Sequence, residues 1–282
     1  MRISIIICSR NKCLPHNVRN NIHATVGVEY ELIVIDNSLR NKTIFQAYND
    51  GVSKSSGDIL VFMHDDVIFR SNNWGGVCME HFQKDEKLGV IGIYGGHYLS
   101  KYVSHVGDSG FDSKNYYQWI NGNLHHYFSC SSVFDKNGEI ECVAVDGIFI
   151  AMRREVAKLV AFDETYKGFH LYDMDICMQT WNVGYEVKVV NDIIIEHKNT
   201  PNINKTFLDN NWLFYKKWEK NIPMIKGIEV SSDMLDLADE LCRYKNYSRE
   251  LQVEIATIKK QKWYKLGEYL KQTKKKCLRI IR

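Results

Sequence analysis

The 282-residue chain has no CxxC pair, and its eight cysteines follow no metal-ligand spacing. A thiolate metal site and a disulfide framework are therefore set aside. Cys8, Cys142 and Cys177 sit inside apolar segments, as the buried reduced thiols of a cytoplasmic protein do. Also missing is any apolar run near the ~18 residues of a membrane-spanning helix. The opening MRISIIICSRN carries an apolar stretch of about five residues, too short for a signal-peptide core. Neither GxGxxG nor GxxxxGK(S/T) follows that run, which argues against a dinucleotide-binding dehydrogenase and a P-loop NTPase. No internal repeat and no low-complexity tract occurs.

What is present is ordinary for a soluble globular chain, with 45% hydrophobic and 25% charged residues. The length allows one large domain, or one domain with an appendage. The net charge of +3 is unevenly spread. Residues 259–282 hold ten Lys or Arg against one acid, so this tail carries +9 and the rest of the chain −6. An anionic partner is expected for the tail alone.

ISIIIC (3–8), ELIVID (31–36) and DILVFM (58–63) are near-continuous apolar runs, the mark of buried parallel strands. Between the second and third, Ile44, Ala47, Tyr48 and Val52 recur at helical spacing. The alternation predicts βαβαβ with right-handed crossovers. LGVIGIYGG (88–96) gives a fourth strand after a helix near Trp74 to Phe82. Residues 97–140 lose periodicity and read as a functional insertion or a set of short elements. Strand and helix then return at 141–156 and 172–190, with a strand at 192–197 and a helix at 204–220. After Pro223 the pattern is helical throughout, which places a boundary between residues 1–222 and 223–282.

Three strand ends in a row are polar: Cys8-Ser9-Arg10-Asn11, Asp36-Asn37-Ser38 and His64-Asp65-Asp66. In open parallel sheets, ligands bind beyond the carboxyl ends of the strands, so these three predict a ligand site. With no glycine-rich loop, a diphosphate must be neutralised otherwise, and carboxylates holding a divalent cation would do it. Asp65 and Asp66 are the candidates, and the plain alternative is that they cap the next element.

The pieces SIIICSRN, ELIVIDNS, AYNDGVSKSSGDILVFMHDDV, VDGIFIAMRREV and FDETYKGFHLYDMDICMQTWNVGYEVKVVNDIIIEH fall in one order over residues 1–200. Together they resemble the family 2 glycosyltransferases of the GT-A fold, and more closely their rhamnosyltransferase-like branch. The resemblance implies a GT-A (nucleotide-diphospho-sugar transferase) α/β fold. It has a mostly parallel central sheet flanked by helices, a catalytic domain over 1–222 and a helical C-terminal appendage.

HDDV stands where that family has Asp-x-Asp-Val. Asp66 is implied as the metal ligand, Asp65 falls in the variable place and is counted with the nucleotide-binding residues, and His64 replaces the first Asp as a further candidate metal ligand, with ribose or neither as the open alternatives. His197 lies where a further metal ligand is often supplied. Ser9, Asn11, Asp36 and Asn37 match the nucleotide-binding loops. Asp173 aligns with the catalytic base and Asp175 with the second Asp of the motif, while Tyr172 replaces its Glu. Asp146 and Gly147 correspond to the segment lining donor and acceptor, and Asp175 is counted with them; the plain alternative is that Asp173 and Asp175 only cap the helix that follows. The helix N-terminus and the loss of the Glu charge are expected to hold the Asp173 pKa low.

The implied activity is metal-dependent inverting transfer from a nucleotide-diphosphate sugar, linked to uridine or dTDP, to a glycan or lipid-linked acceptor in surface polysaccharide synthesis, with Mn or Mg as cofactor. A non-catalytic nucleotide-sugar or glycan binding module stays open, because His64 and Tyr172 depart from the pattern. Arg153 and Arg154 are either phosphate partners or solvated helix-start residues. In the tail, Trp263, Tyr264, Leu266, Tyr269, Leu270, Leu278, Ile280 and Ile281 among lysines read as an interfacial helix on anionic lipid, at the inner face of the plasma membrane. A solvated basic helix is the alternative. Nucleic acid fits poorly, because the body is acidic. Residues 231–258 read as a helical arm or a short coiled coil, the latter giving a homodimer.

Overall fold

The computed structural model describes residues 1–198 and 204–280, with side chains through Tyr269 except those of residues 264 and 268. The first strand, Ile3–Ser9, pairs in parallel with Tyr30–Asp36 on one side and Ile59–Met63 on the other. The register sets Ser9 against Asp36 and Ile7 against Met63, so all three polar strand ends share one edge. The crossover helix Ile44–Lys54 starts at a capping box. The Thr43 hydroxyl accepts the Gln46 N–H, and the Gln46 side chain accepts the Thr43 N–H. Phe45, Ala47 and Tyr48 face the sheet. Gly51 sits where a side chain would collide with Ile6 of the first strand.

The full sheet has seven strands in the order 139–141, 186–190, 88–92, 149–153, 59–63, 3–9, 30–36. Phe149–Arg153 runs antiparallel to both of its neighbours, and Glu139–Glu141 is antiparallel to Glu186–Val190. The expected mostly parallel sheet is therefore a mixed one, an inserted antiparallel strand being as apolar as the rest. Both faces are covered by apolar clusters.

The stretch without clear periodicity forms a hairpin, Asp112–Ile120 with Asn123–Cys130. Its first strand joins a second sheet in the order 144–145, 94–96, 112–120, 195–197, 67–69. That sheet carries His197 back beside the strand ends. Met224–Ile225 pairs with Tyr98–Leu99, where pure helix was expected. The helix Ser232–Ile280 then docks through its first five turns, and beyond them most of the described side chains are exposed. Asp239 accepts Tyr98 Oη at 2.8 Å and Ser100 Oγ at 2.6 Å. Asn246 and Arg249 reach Val103 and Ser104.

All seven described cysteines are free. No helix among the described residues is long and apolar enough to cross a membrane. The side chains of Tyr264, Leu270, Leu278 and Ile280, and all of Ile281, lie outside the described residues.

Candidate active site

The strand Ile59–Met63 ends on His64, and the chain turns through Asp65 and Asp66 before Val67–Phe69. The two acids point to different jobs. Asp65 is turned back to the first strand, where one oxygen accepts both Ser9 Oγ–H and the Arg10 N–H at 3.0 Å. Ser9 Oγ in turn accepts the Asn11 N–H at 3.1 Å. Asp66 faces the other way, 3.4 Å from His197 Nε2. His64 Nδ1 lies 3.1 Å from the same His197 nitrogen, across a sequence gap of 133 residues. His64, Asp66 and His197 offer ligand atoms all within 4.8 Å of one another.

This set suits a divalent cation on chemical grounds. His197 Nδ1 is 2.9 Å from Gln118 Oε1, which can only accept, so Nδ1 carries the proton and the Nε2 lone pair faces the cluster. Burial, reinforced by His197, pulls the His64 pKa down to about 4 against the pull of Asp66, Asp146 and Asp65, so the ring is neutral at pH 7. His64 Nε2 is 3.0 Å from Tyr172 Oη, and Tyr172 Oη lies 3.1 Å from the Gly147 carbonyl. If Tyr172 donates to that carbonyl, it accepts from His64 Nε2–H, and Nδ1 is then free of its proton. The tyrosine thus fixes the tautomer that exposes a second nitrogen ligand.

Asp173 follows directly, on the first turn of the helix Tyr172–Asn182. The residue that precedes this helix, Leu171, has φ +69°, an uncommon backbone for a branched side chain. Asp173 accepts the Gly147 and Met174 N–H groups at 2.9 Å each. Its pKa is nevertheless pushed up, to about 6, first by burial and then by Asp146, against the pull of His105 and the two N–H groups. The low pKa expected from the helix terminus is overturned, because burial beside a second carboxylate outweighs the helix end. Asp173 is still 8% exposed.

Asp146 accepts the Ile148 N–H at 2.9 Å and lies 3.4 Å from His105 Nε2. Burial lowers the His105 pKa, but Asp146, Asp108 and Asp173 outweigh it and leave it above the usual value. Gly147 is small because Tyr172 abuts it, since an added Cβ would meet the phenol oxygen.

Other expected residues divide. Asp36 stands exposed, its pKa lowered by the Ser38 N–H and hydroxyl, and Asn11 is exposed as well. Asn37 is instead committed to its own loop, exchanging hydrogen bonds with the Lys42 backbone at 2.9 and 3.1 Å.

Asp175 does not join the donor or acceptor region. It is 1% exposed and accepts Tyr166 Oη, Trp218 Nε1, Gln179 Nε2 and Lys217 Nζ at 2.7 to 3.2 Å. The helix turns it 200° from Asp173, into the layer between helices. Arg153 and Arg154 are neither phosphate partners nor solvated, since their guanidinium groups hold the carbonyls of Leu88, Phe82, Asp85 and Gly57. His105 and Gln118 were not anticipated. Both lie in the stretch without periodicity, and neither carries a motif.

A mixed central sheet with helices on both faces is the architecture of a GT-A type glycosyltransferase. A family model described as "glycosyltransferase like family" matches residues 4–223, and the chain belongs to that family. Among solved structures, a protein from STIV aligns with a TM-score of 0.43 and 11% identity, over 71% of this chain and 87% of that one. GalNAc-T7, solved with UDP, GalNAc and Mn2+, aligns with a TM-score of 0.49 and 12% identity, over 85% of this chain and 54% of that one. The chain thus spans about half of the GalNAc-T7 chain. A search of curated proteins returned no match.

Proposed function

We propose that this glycosyltransferase is metal-dependent and inverting, taking a nucleotide-diphosphate sugar to a glycan or lipid-linked acceptor. The observation that carries the reading is the pairing of Asp173, a carboxylate with a raised pKa, with the His64–Asp66–His197 cluster through the Tyr172–Gly147 bridge. The catalytic domain is residues 1–222, and 223–282 is its extension.

His64, Asp66 and His197 would hold the cation, which when bound neutralises the charge that develops on the departing diphosphate. Two imidazoles and one carboxylate favour Mn over Mg, which prefers oxygen donors. Asp36 and Asn11 form the exposed lip for the nucleotide. Ser9, Asn37 and Asp65 hold that lip in shape.

Inversion needs one base on the acceptor side, and Asp173 fills that role. Both of its oxygens already accept an N–H, which fixes the carboxylate plane and leaves lone pairs for the acceptor hydroxyl. A pKa near 6 is still far below that of a sugar hydroxyl, so the proton moves to Asp173 late, as the new glycosidic bond forms. His105 beside Asp146 offsets the negative charge on the acceptor side.

Transfer from candidate nucleotide sugars, with Mn and with a chelator, tests the reading. Asp66→Ala and Asp173→Asn are each expected to abolish transfer while the circular dichroism spectrum stays native. Full activity in either variant refutes the assignment. NMR of the product anomer tests inversion separately.

The basic tail, with Trp263, Leu266 and Tyr269 exposed, is assigned to an anionic membrane surface, in keeping with a surface-polysaccharide role at the inner face of the plasma membrane.

A further inference from the structure

We infer that the helix Ser232–Ile280 pairs with the same helix of a second copy of this chain, as a parallel, in-register two-stranded coiled coil centred on residues 234–258. Leu237, Tyr244, Leu251 and Ile258 recur every seven residues along this helix. Met234, Leu241 and Ile255 recur on the interleaved seven-residue row, with Ser248 as its one polar member. Alternating steps of three and four residues give the 3.5-residue period of a left-handed supercoil, not the 3.6 of a helix lying on a globular core. The row extends over about 37 Å at 1.5 Å per residue.

All seven apolar members are exposed, Leu237 at 67% and Tyr244 at 70%. The body leaves them open, Leu241 alone lying close to it, near Gly110. Its contacts run mainly through Ala238, Asp239, Cys242, Lys245, Asn246 and Arg249, which fall to the side of the row or behind it.

Charge identifies the occupant. In a parallel pair, the position before one apolar row faces, five residues on, the position after the other row in the partner chain. Here that sets Glu240 against Lys245 and Glu254 against Lys259, both attractive. The remaining facing pairs, Asp233 with Ala238 and Tyr247 with Gln252, bring no like charges together. An antiparallel pair would instead set acids against acids and lysines against lysines. Anionic lipid is disfavoured on this segment, because residues 232–258 hold six acids and three bases. The strongly basic stretch begins only at Lys259. Ser248 in the middle of the seam penalises register slips, which would set it against a larger apolar residue.

Sedimentation equilibrium of the full chain is the test, with vesicle flotation as a second arm. The wild-type chain is expected at twice its 32.9 kDa mass at micromolar concentration. Leu251→Glu with Ile255→Glu is expected to be monomeric with an unchanged melting temperature of the body. Lys245 also reaches Asp108 in its own chain, so the 254–259 pair is the cleaner charge probe. Glu254→Lys alone is expected to weaken association at least tenfold, and adding Lys259→Glu is expected to restore it. A wild-type monomer at tens of micromolar refutes the proposal, as does a dimer that persists in the double glutamate variant. A charge swap without rescue refutes the parallel register. If the wild type is monomeric and its flotation on anionic vesicles is lost in the double glutamate variant, the seam belongs to lipid and the inference falls.

Discussion

At the residue scale, Asp173, the base we propose, combines two opposing demands. The base must be ionised to work, yet burial and Asp146 disfavour the ionised form. Its folded pKa lies above the unfolded value, so the protonated form is favoured by folding. That stabilisation is complete below about pH 4 and is lost as pH rises through about 6. Asp173→Asn is therefore expected to abolish transfer and to raise the melting temperature by a few degrees at pH 8, measured by calorimetry. In the wild type, kcat/KM should climb about tenfold per pH unit below 6 and flatten above it. A second prediction concerns the ligand tautomers. Gln118→Ala and Tyr172→Phe each remove the partner that fixes an imidazole of the cluster. Each is expected to weaken Mn binding 10- to 100-fold, read by titration calorimetry, without unfolding the chain.

At the element scale, the helix Tyr172–Asn182 is held by its own second acid. Asp175 ties Tyr166, Lys217 and Trp218 into one buried network, so Asp175→Ala leaves several donors unpaired. A loss of about 3 kcal/mol in urea unfolding is expected. The Ser232–Ile280 helix has a comparable role for the segment that carries His105. Arg249 pairs with Asp108, and Asp108 accepts the His105 N–H at 2.9 Å. Arg249→Ala should loosen His105 against Asp146 and lower kcat several-fold, with a shifted pH profile and intact Mn affinity. An unchanged profile would show that His105 needs no such brace. Why was this element only half legible? Its helical period was legible, although the helix begins at Ser232 and not directly after Pro223, but the contacts of Asp239, Asn246 and Arg249 are to residues over a hundred positions away. No local pattern records them. Asp175 misled for a similar reason. Two acids in DMD look alike in sequence, and only the layer of Trp218 and Lys217 separates their surroundings.

At the scale of the whole molecule, charge is divided by region. An acidic body with a +9 tail predicts that deletion of residues 259–282 abolishes flotation on anionic vesicles and leaves transfer to a soluble acceptor intact. The sequence by itself determined the three apolar runs, the polar residues that end them, and the seven-residue spacing of the C-terminal helix. These are local properties, because period, capping and turn chemistry act over a few residues. Tertiary structure alone decided that His197 returns to His64 and Asp66, that Gln118 and Tyr172 set the imidazole tautomers, and that Asp173 has a raised pKa. Those outcomes depend on strand order and on exclusion of water, and both arise only when distant segments share one interior.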